Sequence, residues 1–204
     1  MPSQEEFLAQ CTVRLQATGK SGYGTGFFVA PNLVLTCAHV VRKNGQIVAD
    51  VKLWWQDIAE PFIATVERVA EKDLNVDLAL LKVTDISNIN YWIALSDFDY
   101  QTGDELYTFG YPDNNSEGEP GTFEVIGLTG NNPPLIKFKE GQVRPGFSGS
   151  PLLNLRTGKI CGIINKTLDR NIERSIWRSI ERSIGRSIGR SIWRSIWRSI
   201  WRSI

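Results

Sequence analysis

The chain has one histidine in 204 residues, His39. Any chemistry that needs an imidazole base has this candidate and no second one. Cysteine is nearly as scarce. Cys11, Cys37 and Cys161 are an odd number, and none stands in a C-x-x-C or other metal-like spacing. The expectation is three reduced thiols buried in strands, with no disulfide framework, no metal site and no cofactor. Long apolar runs are missing too: nothing approaches the roughly 18 uninterrupted apolar residues of a membrane span. The opening Met-Pro-Ser-Gln-Glu-Glu-Phe carries acids where a secretory leader needs a basic end and an apolar stretch. These absences predict a soluble, cytoplasmic protein.

Net charge is also small, at +1, but it hides two opposite parts. From Glu173 onward eight arginines face two glutamates, so the tail carries +6 and residues 1–172 carry −5. The tail is a four-residue tandem repeat from Arg174, in which Arg-Ser-Ile is followed by Trp177, Glu181, Gly185, Gly189, Trp193, Trp197 and Trp201. Its period is far below the roughly 20 to 50 residues of solenoid units. In a helix a spacing of four drifts by about 40° per repeat, so no fixed apolar face forms. In a strand Arg and Ile would share one side. Residues 173–204 are therefore expected to be disordered or a loose helix. Tryptophan among arginines could contact anionic surfaces, but the near-identical units favour a simple sequence expansion, and no specific nucleic acid or membrane partner is assigned.

What is present before the tail is a series of short strand patterns. Ser3 and Glu6 before Phe7-Leu8-Ala9 fit a short capped helix. Strand signals follow at 11–16, 24–29, 33–36, 47–55, 62–69 and 78–83, then at 105–110, 122–128, 135–138, 150–154 and 160–165, with turn residues between them. Many short strands without alternating helices predict an all-β protein. The first group has six members and the second only five, because the repeat begins where a sixth would fall.

Three segments carry chemistry: Thr36-Cys37-Ala38-His39, Val76-Asp77-Leu78-Ala79-Leu80 and Gly146-Phe147-Ser148-Gly149-Ser150-Pro151. A serine hydroxyl is a weak nucleophile until a base takes its proton, and that base needs a partner that fixes its tautomer. Ser148, His39 and Asp77 suit these roles. Each has a bland alternative, a surface histidine, a strand-end aspartate or a turn serine, and Asp73 and Ser150 are local rivals. Asp77 is preferred because it precedes the apolar Leu78-Ala79-Leu80-Leu81 strand, and Ser148 because Ser150 re-enters a strand. The N–H groups of Gly146 and Ser148 could meet an oxyanion, with Pro145 stiffening the approach.

The motifs and their order, His39, Asp77, Ser148, resemble a chymotrypsin-fold, trypsin-like serine peptidase of the compact bacterial intracellular type, over residues 11 to about 168. The resemblance implies two six-stranded antiparallel β-barrels, about 11–90 and 100–172 within a 1–172 peptidase domain, the second incomplete. It implies a serine endopeptidase acting on polypeptides through an acyl-enzyme, and domains of this sort are fused to bacterial regulatory or effector proteins. It further places Gln142 at the floor of the specificity pocket, which argues against an Arg or Lys preference, and Asn165, Lys166 and Thr167 on the edge that binds substrate. Phe147 stands where secreted trypsins have the aspartate that pairs with a new N-terminus, so activation by N-terminal cleavage is not expected. The alternative reading is a silent peptide-binding module that kept the triad but lost its pocket.

Overall fold

The computed structural model describes residues 2–165, apart from 57, 71–76, 85, 87–88, 94, 96–99, 114, 130–134 and 140–142, together with the backbone of 174–175. The chain opens with helix α1 (Gln4–Cys11), started by the expected capping box: the Ser3 hydroxyl accepts from Glu6 N–H at 3.1 Å and the Glu6 carboxylate accepts from Ser3 N–H at 2.8 Å. Cys11 closes this helix instead of opening a strand. The other two cysteines are buried and free as well, and burial pushes the thiols of Cys11 and Cys161 up to about 12.

The first sheet consists of β1 (Thr12–Ala17), β2 (Gly24–Ala30), β3 (Leu33–Thr36), β6 (Asp50–Trp54), β7 (Phe62–Val69) and β8 (Ala79–Val83), with β4 (Arg42–Lys43) and β5 (Gln46–Ile47) forming a small hairpin beside it. Its six strands close into a barrel in the order β1-β2-β3-β8-β7-β6, every neighbour antiparallel. Closure removes both sheet edges. The barrel core holds Val13, Leu15, Phe27, Val34, Leu53 and Leu81, all shielded from solvent. The strand expected over 47–55 is split, because Asn44 (φ 50°) and Gly45 (φ 79°) turn the β4–β5 hairpin first.

The second sheet contains β9 (Glu105–Gly110), β10 (Glu119–Leu128), β11 (Ile136–Phe138), β12 (Pro151–Asn154), β13 (Lys159–Ile163) and β14 (Arg174–Ser175), in the order β13-β12-β9-β10-β11-β14. It curls, and among the described residues its end strands β13 and β14 do not pair. A bulge between Val125 and Gly127 lets β10 pair first with β9 and then with β11. Five strands were legible before the repeat. The sixth position is filled by the first Arg-Ser of that repeat, whose two residues pair with Ile136 and Lys137; the rest of the tail, 176–204, lies outside the described residues. The architecture is therefore all-β and chymotrypsin-like, one closed barrel and one open half-barrel, with a single short helix among the described residues. No helix among them is long and apolar enough to cross a membrane.

A buried charge ties the second sheet together. Asp104, 7% exposed, accepts from Asn154 Nδ2 at 2.6 Å, Arg156 Nε at 2.7 Å and Gln101 N–H at 2.7 Å. The Arg156 hydrogen bond is the main cause that holds its carboxyl down, from the ordinary 3.8 to about 2, against the opposing effect of burial. A depressed carboxylate contributes stability that is complete above its unfolded value and lost as pH falls through the folded one. The pair of values corresponds to roughly 2 kcal/mol. Urea midpoints should therefore fall between pH 4 and pH 2 in the native sequence, and Asp104→Asn should be weaker at neutral pH and lack most of that fall.

Candidate active site

Strands β3 and β8 set the first two side chains. Their register pairs Thr36 with Ala79, so the residues just after β3 and just before β8 leave the barrel at the same end. Beyond Thr36 the chain folds into a tight turn, with Val40 N–H donating to Cys37 O at 3.1 Å and Val41 N–H to Ala38 O at 3.2 Å. That turn carries His39. Asp77 faces it and receives two hydrogen bonds: Oδ1 accepts from His39 N–H at 2.8 Å, and Oδ2 pairs with the ring Nδ1. An ionised carboxylate can only accept, so Nδ1 carries the proton and Nε2 is left as the free acceptor. Both side chains are partly open, 34% and 24%.

Two neighbours hold this turn from behind. Lys20 Nζ donates to the carbonyls of His39 at 2.9 Å and Val40 at 3.2 Å. Desolvation lowers the pKa of Lys20, outweighing the opposite pull of Asp113 and Asp77. The Cys37 thiol donates to Ile164 O at 3.2 Å, and complete burial, followed by the charge of Asp77, pushes it well up. Ligand atoms of Cys37, His39 and Asp77 lie within 4.8 Å of one another. The histidine and aspartate atoms are committed to each other and the thiol to a carbonyl, an arrangement that holds protons and suits a cation poorly.

Ser148 lies on the turn that leads into β12. Ser150 N–H donates to Phe147 O at 2.9 Å, Phe147 N–H to Arg144 O at 3.2 Å, and Gly149 N–H to Ile164 O at 2.8 Å. Gly146 has φ +99° and Gly149 +98°, torsions that side chains disfavour. At Gly149 a Cβ would also strike the carbonyl of Thr25 on β2, so only glycine lets this turn lie against the first barrel. Phe147 is 2% exposed and packs into the core of the second sheet with Leu106 and Leu152. Among the described residues the N–H groups of Gly146 and Ser148 donate to nothing.

The rival serine is closed off. Ser150 is fully buried with its hydroxyl unpaired, whereas Ser148 is partly exposed. Asn165 follows β13 and is half-buried. Gln142, Lys166, Thr167 and Asp73 lie outside the described residues. Three contributors were not foreseen: Lys20, Thr25 and Asp113. Lysine and aspartate in loops carried no local signal; the buried Gly24-Thr25-Gly26 did, as a polar residue between two glycines in an otherwise apolar strand.

A family profile described as trypsin-like peptidase domain matches residues 24–163. The serine proteases MT3772 and Rv3671c of Mycobacterium tuberculosis, strains CDC 1551 and H37Rv, are each 31% identical over 153 residues, 69% of this chain and 35% of theirs. The chain thus spans about a third of the length of these curated relatives. The fold is similar to crystal structures of the Rv3671c protease, in its inactive form (TM-score 0.69, 21% identity, 87% of this chain and 89% of that one) and its active form (0.68, 22%, 87% and 81%).

The paired geometry has a direct signature. A proton NMR spectrum should contain a His39 Nδ1–H resonance well downfield of the amides, retained in Ser148→Ala and absent in Asp77→Ala. Its persistence in Asp77→Ala would mean that the ring proton is held elsewhere.

Proposed function

Because this chain belongs to the trypsin-like peptidase family, with a polypeptide as its substrate class, we propose that it is a serine endopeptidase working through His39, Asp77 and Ser148. The observation that supports the reading is the His39–Asp77 pair, together with the approach of Gly149 to Thr25 and Thr36, which brings the Ser148 turn to the end of the barrel from which the His39 turn leaves. In this reading Nε2 removes the Ser148 proton as Oγ attacks the substrate carbonyl. Asp77 keeps Nδ1 protonated and stabilises the imidazolium. Negative charge passes to the carbonyl oxygen, where the unpaired N–H groups of Gly146 and Ser148 receive it. The imidazolium then returns its proton to the departing amine, leaving an acyl group on Ser148; water, deprotonated by the same ring, attacks that acyl carbon, and the imidazolium gives the proton back to Ser148 Oγ as the acid leaves.

The substrate would lie extended beside Asn165, adding a strand to the edge that follows β13. Phe147 supports the proposal that the turn is held by apolar burial, so that no charged N-terminus is required to form it.

Ser148→Ala and His39→Ala should each lose casein hydrolysis and fluorophosphonate labelling by several orders of magnitude, and their combination should lose little more. Asp77→Asn should fall by about 10⁴-fold, since the amide presents a donor to Nδ1 and forces the wrong tautomer. Ser150→Ala should stay near the native rate. Hydrolysis surviving in purified Ser148→Ala would overturn the assignment.

A further inference from the structure

Thr25 lies within β2 with no exposed surface, and each of its polar atoms is engaged at the junction of the two sheets. Its N–H donates to Ser148 O at 2.9 Å. Its hydroxyl accepts from Tyr111 N–H at 2.9 Å and donates to Gly146 O at 2.8 Å. Its carbonyl accepts the Thr36 hydroxyl at 2.6 Å. These directions do not depend on any choice of hydrogen position, because a backbone N–H can only donate and a carbonyl can only accept.

The consequence follows from peptide geometry. In a planar trans peptide the C=O and N–H point in opposite directions, so holding a carbonyl also aims the next N–H. Four successive carbonyls are held here: Pro145 O by Asp113 N–H at 3.0 Å, Gly146 O by the Thr25 hydroxyl, Phe147 O by Ser150 N–H and Ser148 O by Thr25 N–H. Asp113 is itself fixed through its carboxylate, which accepts from Tyr23 N–H at 2.7 Å. With the Pro145 and Phe147 carbonyls turned toward these donors, the Gly146 and Ser148 N–H groups face the other way, without protein partners. Gly146 is the weak point, because glycine rotates about its backbone at little cost. The peptide on its C-terminal side is held at its carbonyl by the Thr25 hydroxyl and at its Phe147 N–H by Arg144 O at 3.2 Å, and of these two partners only Thr25 belongs to the first barrel.

We propose that Thr25 is a positioning residue for peptide hydrolysis, its hydroxyl holding the Gly146–Phe147 peptide so that the two N–H groups converge on the developing oxyanion. This deepens, and rests on, the serine peptidase reading. Thr25 is fully buried, meets Ser148 only at its main-chain carbonyl, and acts through the Gly146 peptide. Its effect falls on transition-state charge and leaves ground-state binding alone.

The test uses the full chain, with casein hydrolysis and the rate of fluorophosphonate labelling as readouts. In labelling, Ser148 Oγ bonds to phosphorus, its proton passes to His39 and fluoride departs, while the phosphoryl oxygen occupies the same N–H pair. Thr25→Val keeps the shape and removes the hydroxyl, and should lower kcat and the labelling rate by about 10- to 100-fold, short of or equal to the loss of a whole oxyanion donor. KM should stay within about twofold, and Thr25→Ser should restore most of the rate. A native rate in folded Thr25→Val overturns the proposal, as does Thr25→Ser being as slow as Thr25→Val, which would assign the effect to the methyl group. If Thr25→Val does not fold, Thr25→Ala is compared with Thr25→Ser, and equal rates overturn it. Native chain labelled equally with and without Ser148 takes down both readings, whereas Ser148-dependent labelling unaffected at Thr25 takes down this one alone.

Discussion

Gly149 lies so close to β2 that any side chain there would collide with the Thr25 carbonyl, and this approach governs how the two sheets sit together. Backbone can meet backbone at that distance only if polar groups match, and they do, in the Thr25 and Ile164 hydrogen bonds to the turn. Each is worth only about 1 kcal/mol net, but leaving a buried partner unmatched costs about 1–3 kcal/mol. The junction is therefore held less by what each bond adds than by what every displacement would leave unpaired. Phe147, sunk in the second core from the opposite side, prevents the turn from moving away.

Charge around the junction is arranged with similar economy. The Asp77 carboxylate is matched by two donors from one residue, and Lys20 is turned toward main-chain carbonyls. Burial acts against the ammonium of Lys20 and against the thiolate of Cys37, so the groups beneath His39 serve as structural donors. Asp104 plays the corresponding part in the second sheet, far along the chain from these groups but held in the same manner, by donors on every side.

Much of this was legible wherever a signal is local. The Ser3–Glu6 capping box, the six strands of the barrel and the Asn44-Gly45 turn all follow from residues within a few positions of one another, although the turn was passed over and the strand after it drawn too long. The His39, Asp77 and Ser148 segments were legible as motifs because each has its own short pattern. What was not legible depends on distance along the chain. Nothing near Thr25 indicates Gly146, and nothing near Lys20 specifies that its ammonium will cap the His39 turn. The partner of β11 was missed for a different reason: Arg174 and Ser175 belong to a repeat whose composition suits no element well, and a two-residue pairing leaves no periodicity to detect.

The Thr25 hydroxyl and its Gly146 acceptor are 121 positions apart, which gives the junction a place in time as well as in space. Domains fold as the chain emerges, at about 5–20 residues per second, so about 6 to 24 seconds separate the synthesis of one partner from that of the other. All six strands of the closed barrel, and His39 and Asp77 with them, precede Ser148 in the chain, whereas the Ile164 carbonyl that receives the Cys37 thiol comes later still. A chain interrupted between Asp77 and Gly146 would carry His39 and Asp77 without Ser148. The two sheets are thus joined through contacts of long sequence separation, and Gly146 can reach Thr25 only after every strand of the first barrel has been made.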